Sequence, residues 1–355
     1  MIPDRMRVPR FLGNGEIDFV EKSVPQPGPG QLLVRVRANA LCGSERGQFY
    51  RGSPNTTPGH EAAGVVALAG PNTRTLVGTP GVVYLMDFCQ TGKFRRRGWT
   101  NLCEAKRGDM GFNHDGGYGS YELVHENIFF PIDADLPFDE ATLLLDVMGT
   151  GGHAIEYARR LCARPSELET LLIVGAGPIG LAVLAMARLL LGPNAQIFIS
   201  DIVPYRLNLA EQLGGIPINA ARNDTAQDRL REAGLSFIDA AIDTSGNAAA
   251  RQSVLALLGR RSPLVCVGHG SDLSLNVSRD LIGRENLVAG SEYFRFDELA
   301  VNLARLREPE TRAFLRPLLT HRFPVVEIKQ AFATFWAGDT GKVIIVQSDS
   351  PTLES

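Results

Sequence analysis

Three residues of this 355-residue sequence are candidate zinc ligands: Cys42 with its thiol, His60 with its imidazole and Asp146 with its carboxylate. Three protein ligands of these types leave a fourth position at a zinc ion for water or substrate. Each residue also has an ordinary structural interpretation. A single cysteine packs like a small apolar side chain, and an aspartate caps the helix that follows it. The residue types alone leave both a metal site and separate structural roles open.

A glycine-rich stretch, Gly175-Ala176-Gly177-Pro178-Ile179-Gly180, has the spacing of a dinucleotide-binding turn. It follows the strand-like segment TLLIV and opens a segment with helical periodicity. In that setting Gly175 permits the tight turn, Gly177 lets a pyrophosphate approach the backbone, and Gly180 lets the helix pack closely on the strand. The alternative is a glycine-rich turn that binds no ligand.

Asp201 ends the next strand-like segment, at the distance of about 20 residues that this fingerprint requires. A carboxylate there accepts hydrogen bonds from the adenosine ribose and repels a 2′-phosphate, so it favours NAD over NADP. Otherwise Asp201 is a helix cap, and Arg206 faces either a helix surface or the adenosine. The residues predicted to bind the cofactor are Gly175, Gly177, Pro178, Ile179, Gly180, Asp201 and Arg206.

Two kinds of pattern along the chain position these residues. Residues 1 to about 140 form short apolar segments separated by glycine and proline, which predicts strands joined by turns. From about residue 138, strand and helix patterns alternate, which predicts a parallel sheet covered by helices on both faces. Residues 87–117 lack apolar periodicity and carry a basic run, and we interpret them as a protruding lobe.

Charge and composition exclude several classes of protein. The 36 basic and 39 acidic residues give a net charge of −3, whereas a nucleic-acid binder has a clear basic excess. No apolar run is long enough for a membrane helix, and no signal sequence follows the first charged residues, so a cytoplasmic location is expected. Five cysteines, an odd number, argue against a disulfide scaffold.

Six segments in collinear order resemble the zinc-dependent medium-chain dehydrogenase/reductase family of alcohol, polyol, threonine and archaeal glucose dehydrogenases. They are CGSE (42–45), GHEAAGVV (59–66), DGGYGSY (115–121), LLDVMGTGGHA (144–154), IVGAGPIG (173–180) and GKVIIV (341–346). The resemblance implies an α/β fold that combines a GroES-like β-rich catalytic domain with a Rossmann domain built on a doubly wound parallel sheet. It assigns residues 1–147 and 290–355 to the catalytic domain and residues 148–289 to the NAD-binding domain.

The resemblance also gives each candidate ligand a role. Cys42 and His60 match the first two ligands of a single catalytic zinc ion. Glu61 matches an acid that lies beside the metal and coordinates it transiently. Asp146 stands where the family has its third ligand, which is usually Cys or Glu rather than the shorter Asp.

Ser44 matches a hydroxyl that passes the substrate proton toward solvent, and Glu45 replaces an Asp that supports the metal ligands. Many family members carry a relay histidine a few residues later, where this chain has Arg46, Gly47 and Gln48. The outer part of the proton path is therefore not identified by the motif. The predicted catalytic residues are Cys42, Ser44, His60 and Glu61.

A second, structural zinc site that is common in the family does not match this sequence. Its four-cysteine spacing falls on Cys89, Gly92, Arg95 and Cys103. Glycine has no ligand side chain and arginine is a cation, so the pattern does not provide a four-coordinate zinc site. We predict that this lobe holds no structural zinc and that Cys89 and Cys103 are free thiols.

The resemblance implies a zinc-dependent, NAD-linked interconversion of an alcohol and its carbonyl by hydride transfer. The first two motifs resemble members that act on polyols, sugars and amino alcohols, and the polar stretch 45–58, interpreted as a loop, suits a polyol or cyclitol. A secondary alcohol of one of these classes is therefore expected. Two alternatives stay open: a zinc-free NADPH-dependent quinone or enoyl reductase, and a non-catalytic NAD-binding protein. A homodimer or homotetramer is expected, with the apolar stretch 262–277 at the edge of the nucleotide-binding sheet.

Overall fold

The computed structural model describes residues 2–53, 55–162, 168–222 and 225–347. Its strands are β1 Arg5–Gly13, β2 Glu16–Ser23, β3 Gln31–Ala40, β4 Ala62–Ala69, β5 Pro80–Val83, β6 Met86–Asp87, β7 Gly108–Asp109, β8 Tyr121–His125, β9 Phe129–Pro131, β10 Thr170–Val174, β11 Gln196–Asp201, β12 Ile216–Asn219, β13 Ala240–Asp243, β14 Pro263–Cys266, β15 Leu287–Gly290, β16 Leu319–Pro324 and β17 Lys342–Val346. Its α-helices are α1 Arg46–Arg51, α2 Lys93–Arg96, α3 Phe138–Ala141, α4 Gly151–Leu161, α5 Pro178–Leu191, α6 Pro204–Gln212, α7 Ala226–Glu232, α8 Ala248–Val254, α9 Glu298–Leu306, α10 Pro309–Leu315 and α11 Ile328–Ala337. Within these ranges, no helix combines the length and the apolar character needed to cross a membrane.

The strands β10 to β15 form one sheet in which every adjacent pair is parallel. Their order, β12-β11-β10-β13-β14-β15, is the 3-2-1-4-5-6 arrangement of a doubly wound dinucleotide-binding sheet. β10 and β13 are buried along their whole length, because helices cover both faces of such a sheet. The predicted Rossmann-type sheet is confirmed, and the strand order reverses next to β10, where ligands bind in this architecture.

The other large sheet joins the early and late segments of the chain. Its order is β16-β17-β3-β4-β5-β9, and β8 also pairs with β3. β17 runs antiparallel to β3, with Ile344 opposite Ala40. The strand-rich fold predicted for the first part of the chain is confirmed. Its central strand β3 brings residues near 40 and near 342 to the same end of the sheet.

The connection between the two sheets begins with an irregular helical segment. The sequence predicts a helix from about residue 138 that is interrupted by glycines. The structure has α3, a 3₁₀ turn at Thr142–Leu144, a π-helical turn at Asp146–Thr150, and then α4. A Cβ on Gly151 would lie 2.9 Å from the backbone of Ala182 in α5, so glycine allows the close packing of these two helices. Asp146 is therefore held in a turn that packs against α5 and leads into α4.

Two expectations about smaller segments are wrong. The polar stretch 45–58 is not a continuous loop, because α1 occupies Arg46–Arg51 and buries Phe49 among other aromatic rings. The stretch 262–277 does not supply the edge of the parallel sheet, because β14 lies between β13 and β15. The edge strand is β15, whose Leu287 and Val288 are 41% and 37% exposed.

Candidate metal centre and cofactor cleft

The four candidate metal ligands come together although they belong to three separate segments. Cys42 follows β3, His60 and Glu61 precede β4, and Asp146 begins the π-helical turn. One ligand atom from each side chain lies within 4.8 Å of those of the other three, and all four residues are buried. We call Cys42, His60, Glu61 and Asp146 the ligand cluster.

Hydrogen bonds with neighbouring side chains position the two acidic residues of the ligand cluster. Asn39 Oδ1 accepts a hydrogen bond from the backbone amide of Glu61 at 3.2 Å. Thr150 Oγ1 donates to Asp146 Oδ1 at 3.0 Å, one helical turn away. The backbone of Glu61 and one oxygen of Asp146 are thereby fixed, whereas the second oxygen of Asp146 remains available within the cluster.

His60 is oriented by a buried carboxylate and by the turn before it. Glu45 Oε1 lies 3.4 Å from His60 Nδ1, and the Tyr118 hydroxyl donates to Glu45 Oε2 at 2.8 Å. Gly59 has φ = +99°, and a Cβ there would lie 2.8 Å from the backbone nitrogen of Tyr118. Because Nδ1 lies beside Glu45, Nε2 is the nitrogen available to the cluster, 4.0 Å from Asp146 Oδ2. Glu45 thus lies where the sequence resemblance places the acid that supports the ligands.

A lysine that the sequence analysis did not single out completes the charge pattern of the cluster. Lys342 Nζ, at the start of β17, donates to Glu61 Oε1 and to the carbonyl of Leu41 (3.3 Å), and lies 3.5 Å from Asp146 Oδ2. Its side chain is only 2% exposed. The sequence does contain a signal for this residue, since a lysine opens the apolar segment KVIIV. A lysine in a buried strand needs a partner of opposite charge, because lysine is almost never fully buried unless it is paired.

Burial and neighbouring charges alter the protonation of the cluster. Burial, together with the Asp146 carboxylate, raises the pKa of the Cys42 thiol to about 12. The same two causes raise the pKa of Glu61 well above its ordinary value. Burial also opposes ionisation of Asp146, but the charges of Lys342 and His60 outweigh it and lower the pKa of Asp146 to about 2. In the metal-free chain, burial and the Asp146 charge thus oppose ionisation of Cys42 and Glu61, whereas Lys342 and His60 favour ionisation of Asp146.

The cluster fits a divalent cation. Glu61 Oε2 and Asp146 Oδ2 are buried and accept no hydrogen bond from any residue that the structure describes. With the thiol of Cys42 and the imidazole of His60 within the same 4.8 Å, they form the oxygen, sulfur and nitrogen donor set that zinc accepts. A cation at this point would satisfy both oxygen atoms and favour the ionised thiol.

Ser44 and Phe112 lie on the open side of the ligand cluster. Ser44 is exposed, and its Oγ is 3.5 Å from His60 Nε2. The ring centroid of Phe112 is 5.1 Å from that of His60. Gln48 Nε2 donates to the carbonyl of Gly111 at 2.9 Å and so holds the segment that carries Phe112. A hydroxyl and an aromatic ring therefore approach the same histidine.

The glycine-rich turn has the geometry that a dinucleotide site needs. Gly175 has φ = +92° directly after β10, and α5 begins with Pro178 and Ile179, with Gly177 as its N-cap. A Cβ on Gly180 would lie 1.8 Å from the carbonyl oxygen of Gly175, so only glycine fits there. A Cβ on Gly177 would meet no atom closer than 4.0 Å, which leaves room for a phosphate at the helix N-terminus.

Asp201 and Arg206 lie at the same turn. Asp201 Oδ2 accepts a hydrogen bond from the amide of Ala176 at 2.6 Å, and Oδ1 accepts from the amides of Ile202 and Val203 at 2.7 and 2.9 Å. The carboxylate thus ties the end of β11 to the glycine-rich turn. Arg206 Nη1 is the atom nearest to the open position at Gly177, and burial lowers the pKa of this guanidinium, partly offset by Asp201.

The segment predicted to form a lobe contains the paired strands β6 and β7 and the single helical turn α2. Cys89 and Cys103 are free thiols in the structure. Their sulfur atoms are 3.2 Å apart. Gly92 and Arg95 stand at the other two positions of the family's structural zinc pattern, so two thiols are the ligand atoms that this pattern offers.

Family models match both parts of the chain. The model described as an alcohol dehydrogenase GroES-like domain matches residues 28–134. The model described as a zinc-binding dehydrogenase matches residues 178–307. The first match contains three of the four ligand-cluster residues, and the second begins within the glycine-rich turn.

Individual relatives match over almost the whole chain. L-threonine 3-dehydrogenase of Symbiobacterium thermophilum is 30% identical over 357 residues, covering 97% of this chain and 98% of the relative. An Escherichia coli CFT073 protein, described as a short chain alcohol dehydrogenase and complexed with NADH, has a TM-score of 0.85 at 21% identity, covering 97% of this chain and all of its own. A presumed zinc-binding dehydrogenase of Sinorhizobium meliloti 1021 bound to NADP has a TM-score of 0.82 at 24% identity with the same coverage. The two solved structures share the fold and carry different dinucleotides, so the fold alone does not decide the cofactor.

Proposed function

The chain belongs to the zinc-dependent medium-chain dehydrogenase/reductase family, and from this membership we propose that it is a zinc-dependent NAD(H) oxidoreductase that interconverts an alcohol and its carbonyl. The observation that carries the proposal is the buried ligand cluster, whose thiol, imidazole and two carboxylates lie within 4.8 Å. The glycine-rich turn supports the use of NAD(H), because it lies at the carboxyl end of β10, where dinucleotides bind in sheets of this type.

The proposed metal ligands are Cys42, His60 and Asp146, with Glu61 as an alternate ligand. When zinc is bound, it polarises the alcohol oxygen as a Lewis acid and so lowers the pKa of the hydroxyl. Lys342 pairs with Glu61 in the structure, which supports an alternate rather than a permanent role for that carboxylate. The same ammonium group offsets the charge of Asp146 and keeps the cluster from carrying two uncompensated carboxylates.

Ser44 is the proposed acceptor of the substrate proton. Its Oγ is within 3.5 Å of His60 Nε2, next to the position where the alcohol oxygen would bind. The residue is also exposed, so the hydroxyl can exchange its proton with water without a relay histidine at Gly47. Glu45 has a positioning role, since it holds His60 Nδ1 and leaves Nε2 for the metal.

NAD is the proposed cofactor, and it supplies the hydride acceptor for alcohol oxidation. The support is Asp201, which lies beside the glycine-rich turn, where its charge disfavours a 2′-phosphate. The two residues that follow, Ile202 and Val203, are apolar and offer no cation to such a phosphate. Arg206 is the nearby cation, and it lies beside Gly177, the position where the pyrophosphate would approach.

The proposed substrate is a secondary alcohol of a sugar, polyol, cyclitol or amino alcohol. The support is the pair of motifs around Cys42 and His60 and the relative at 30% identity whose name specifies oxidation at C3 of threonine, a secondary alcohol. The experiment is a panel of these four classes and of primary alcohols, assayed with NAD and with NADP on protein of measured zinc content. Turnover with NAD on a secondary alcohol supports the proposal.

The same experiment distinguishes the alternatives. Bound zinc with no turnover on any alcohol would favour a non-catalytic NAD-binding protein. Absence of zinc with NADPH-dependent reduction of quinones or enones would favour the zinc-free reductase. A preference for NADP with zinc-dependent turnover would retain the reaction and overturn the role of Asp201.

The domain division and the assembly state are also proposals. The division into 1–147 with 290–355 and 148–289 is supported by the pairing of β17 with β3 in one sheet and by the six strands of the other. A homodimer or homotetramer is supported by the exposed apolar residues Leu287 and Val288 on the edge strand β15. Light scattering measures the assembly state, and cell fractionation tests the proposed cytoplasmic location.

A further inference from the structure

We propose that Cys89 and Cys103 form a redox-active dithiol that exchanges with an anionic low-molecular-weight disulfide and closes into an intramolecular disulfide. The two Sγ atoms are 3.2 Å apart, with the Cys103 thiol donating to Cys89 Sγ. Cys103 is buried and Cys89 is half-buried. A small reagent can therefore reach the sulfur of Cys89, while the sulfur of Cys103 lies next to it in the interior. This inference does not depend on the proposed dehydrogenase activity.

Separate anchors hold each thiol in position. Cys89 follows β6, where the buried Asp87 pairs with the guanidinium of Arg107, Nε to Oδ2 at 3.0 Å. Cys103 follows a short turn whose Thr100 Oγ1 accepts a hydrogen bond from the amide of Phe296 at 2.8 Å. Because each sulfur is fixed from its own side, their approach does not rely on the single contact between them.

The backbone around the pair favours a sulfur anion. The amide of Gly92 donates to Cys89 Sγ, and the amide of Cys89 donates to Cys103 Sγ, both at 3.2 Å. A Cβ at Gly92 would lie 2.7 Å from Cys89 Sγ, so glycine allows this close donor. The hydrogen bond from Cys103 and the amide of Gly92 lower the pKa of Cys89, which makes it the attacking thiolate.

The surface beside Cys89 is positively charged. Four basic side chains follow within a few residues and are exposed, and they are Lys93, Arg95, Arg96 and Arg97. The other local charges include Lys106 and Arg107, which pair with Asp109 and Asp87, and the exposed Glu104. The remaining positive charge stabilises a thiolate and attracts an anionic disulfide such as oxidised glutathione.

The exchange balances in two steps. The Cys89 thiolate attacks one sulfur of the disulfide RSSR, so that a Cys89–SR bond forms and RS⁻ leaves. Cys103 then loses its proton and attacks Cys89 Sγ, which forms the Cys89–Cys103 bond and releases a second RS⁻. The protein loses two protons and two electrons, and RSSR is reduced to two thiols.

Cys162 provides an internal comparison. It is half-buried, and its thiol donates a hydrogen bond to the carbonyl oxygen of Asp239 at 3.8 Å. Burial raises the pKa of Cys162 to about 11. Cys89, which accepts the amide of Gly92 and has a lowered pKa, is therefore expected to be more ionised near neutral pH and to react faster than Cys162.

The test uses the full-length, zinc-loaded protein in buffers of fixed reduced and oxidised glutathione, followed by alkylation and peptide mass mapping. We expect a Cys89–Cys103 cross-link while Cys162 and Cys266 stay alkylated. Cys103→Ser should stop at a glutathione adduct on Cys89, and the control Cys162→Ser should behave like the unmodified sequence. The proposal would be overturned if Cys89 and Cys103 stayed reduced in a buffer that already modifies Cys162. It would also be overturned if the two thiols were found to bind a zinc ion.

A second arm tests the charge of the disulfide. Oxidised glutathione should react severalfold faster than the cationic disulfide cystamine at low ionic strength, and salt should reduce the difference because it screens exposed charges. Arg96→Glu should slow the reaction with glutathione and accelerate the reaction with cystamine, while Arg260→Glu, in the exposed turn before β14, should change neither. Equal rates for the two disulfides would overturn the preference for an anion.

Discussion

Two cysteine-containing regions of this protein surround their sulfur atoms in opposite ways. Cys42 lies among Glu61 and Asp146, and burial with the Asp146 charge raises its pKa to about 12. Cys89 accepts a hydrogen bond from a backbone amide, lies beside exposed cations and has a lowered pKa. Burial beside a carboxylate opposes ionisation of the Cys42 thiol, whereas the backbone N–H donor at Cys89 favours the thiolate that disulfide exchange requires. The same residue type thus predicts a metal centre in one region and thiol chemistry in the other.

Removing the sulfur from the ligand cluster should have the largest effect. For Cys42→Ala we expect loss of bound zinc and a fall in kcat of roughly a thousandfold, because Lewis-acid stabilisation contributes several kcal/mol. NADH should still bind, because the glycine-rich turn belongs to the other sheet. Elemental analysis, steady-state kinetics and NADH fluorescence measure the three outcomes, with Cys162→Ala as the control. Undiminished turnover in Cys42→Ala would contradict the assignment of Cys42 as a zinc ligand.

Removing the buried ammonium group tests how the cluster balances its charge. Lys342→Met leaves Glu61 and Asp146 without their cation, so the free energy of unfolding of the metal-free protein should fall by about 3–5 kcal/mol. Zinc should restore part of this loss, because its charge replaces the ammonium. Urea denaturation with and without zinc measures both effects, and Lys329→Met, at an exposed position, is the control. Equal stability of Lys342→Met and the control would contradict the proposed role of this charge.

A smaller, pH-dependent effect is expected at the ion pair between Glu298 of α9 and His153 of α4. Glu298 accepts hydrogen bonds from His153 Nδ1 and from the amide of Arg295, both at 3.0 Å. Burial opposes its ionisation, but His153 and Arg295 outweigh it and lower the pKa of Glu298 below the ordinary 4.5. A lowered folded-state pKa stabilises the protein above pH 4.5, and the contribution is lost as pH falls through the lowered value.

Glu298→Gln should therefore reduce the free energy of unfolding by about 1.5 kcal/mol at pH 7 and by less as the pH falls below 4.5. Urea denaturation at a series of pH values measures the difference from the unmodified sequence. Glu310→Gln on α10, at an exposed position, is the control and should show little change. A difference that grows toward low pH would have the wrong sign and would refute the assignment.

The smallest effect on catalysis and stability is expected from replacing Cys89. Cys89→Ser should change kcat by less than about twofold and the free energy of unfolding by less than about 0.5 kcal/mol, because the residue is half-buried and its pair lies outside the ligand cluster. The zinc content should not change. A large loss of zinc from this variant would mean that the two sulfur environments are not independent.

Much of the ligand cluster could be predicted once short motifs of the sequence were compared with those of the family, although the residue types alone left a metal site open. Cys42 and His60 stand within short motifs next to strands, and Gly175 to Gly180 form a continuous fingerprint between a strand and a helix. Patterns of this kind survive folding because the backbone geometry they require is local. The Rossmann sheet was predicted for the same reason, since alternating strand and helix patterns restrict the topology.

What the sequence did not reveal depends on distant contacts. Lys342 reaches Glu61 only because β17 pairs with β3, and nothing near residue 342 identifies its partner. The π-helical turn at Asp146 follows from packing against α5, which hydrophobic periodicity does not encode. The edge of the parallel sheet was misplaced because an apolar strand looks the same in the interior as at the border. Only the strand order places β15 outside β14.

The pairing of β17 with β3 also determines when the ligand cluster can meet Lys342 during synthesis. Lys342 and its contact residue Leu41 are 301 positions apart, and a chain emerges from the ribosome at about 5–20 residues per second. Cys42, His60, Glu61 and Asp146 are therefore exposed to the cell for tens of seconds before their ammonium partner exists. During that interval the two carboxylates lack the cation that lets them be buried together. The ligand cluster therefore completes its charge balance only after β17 is made, so a nascent chain stalled before residue 342 should leave this end of the sheet open and hydrated.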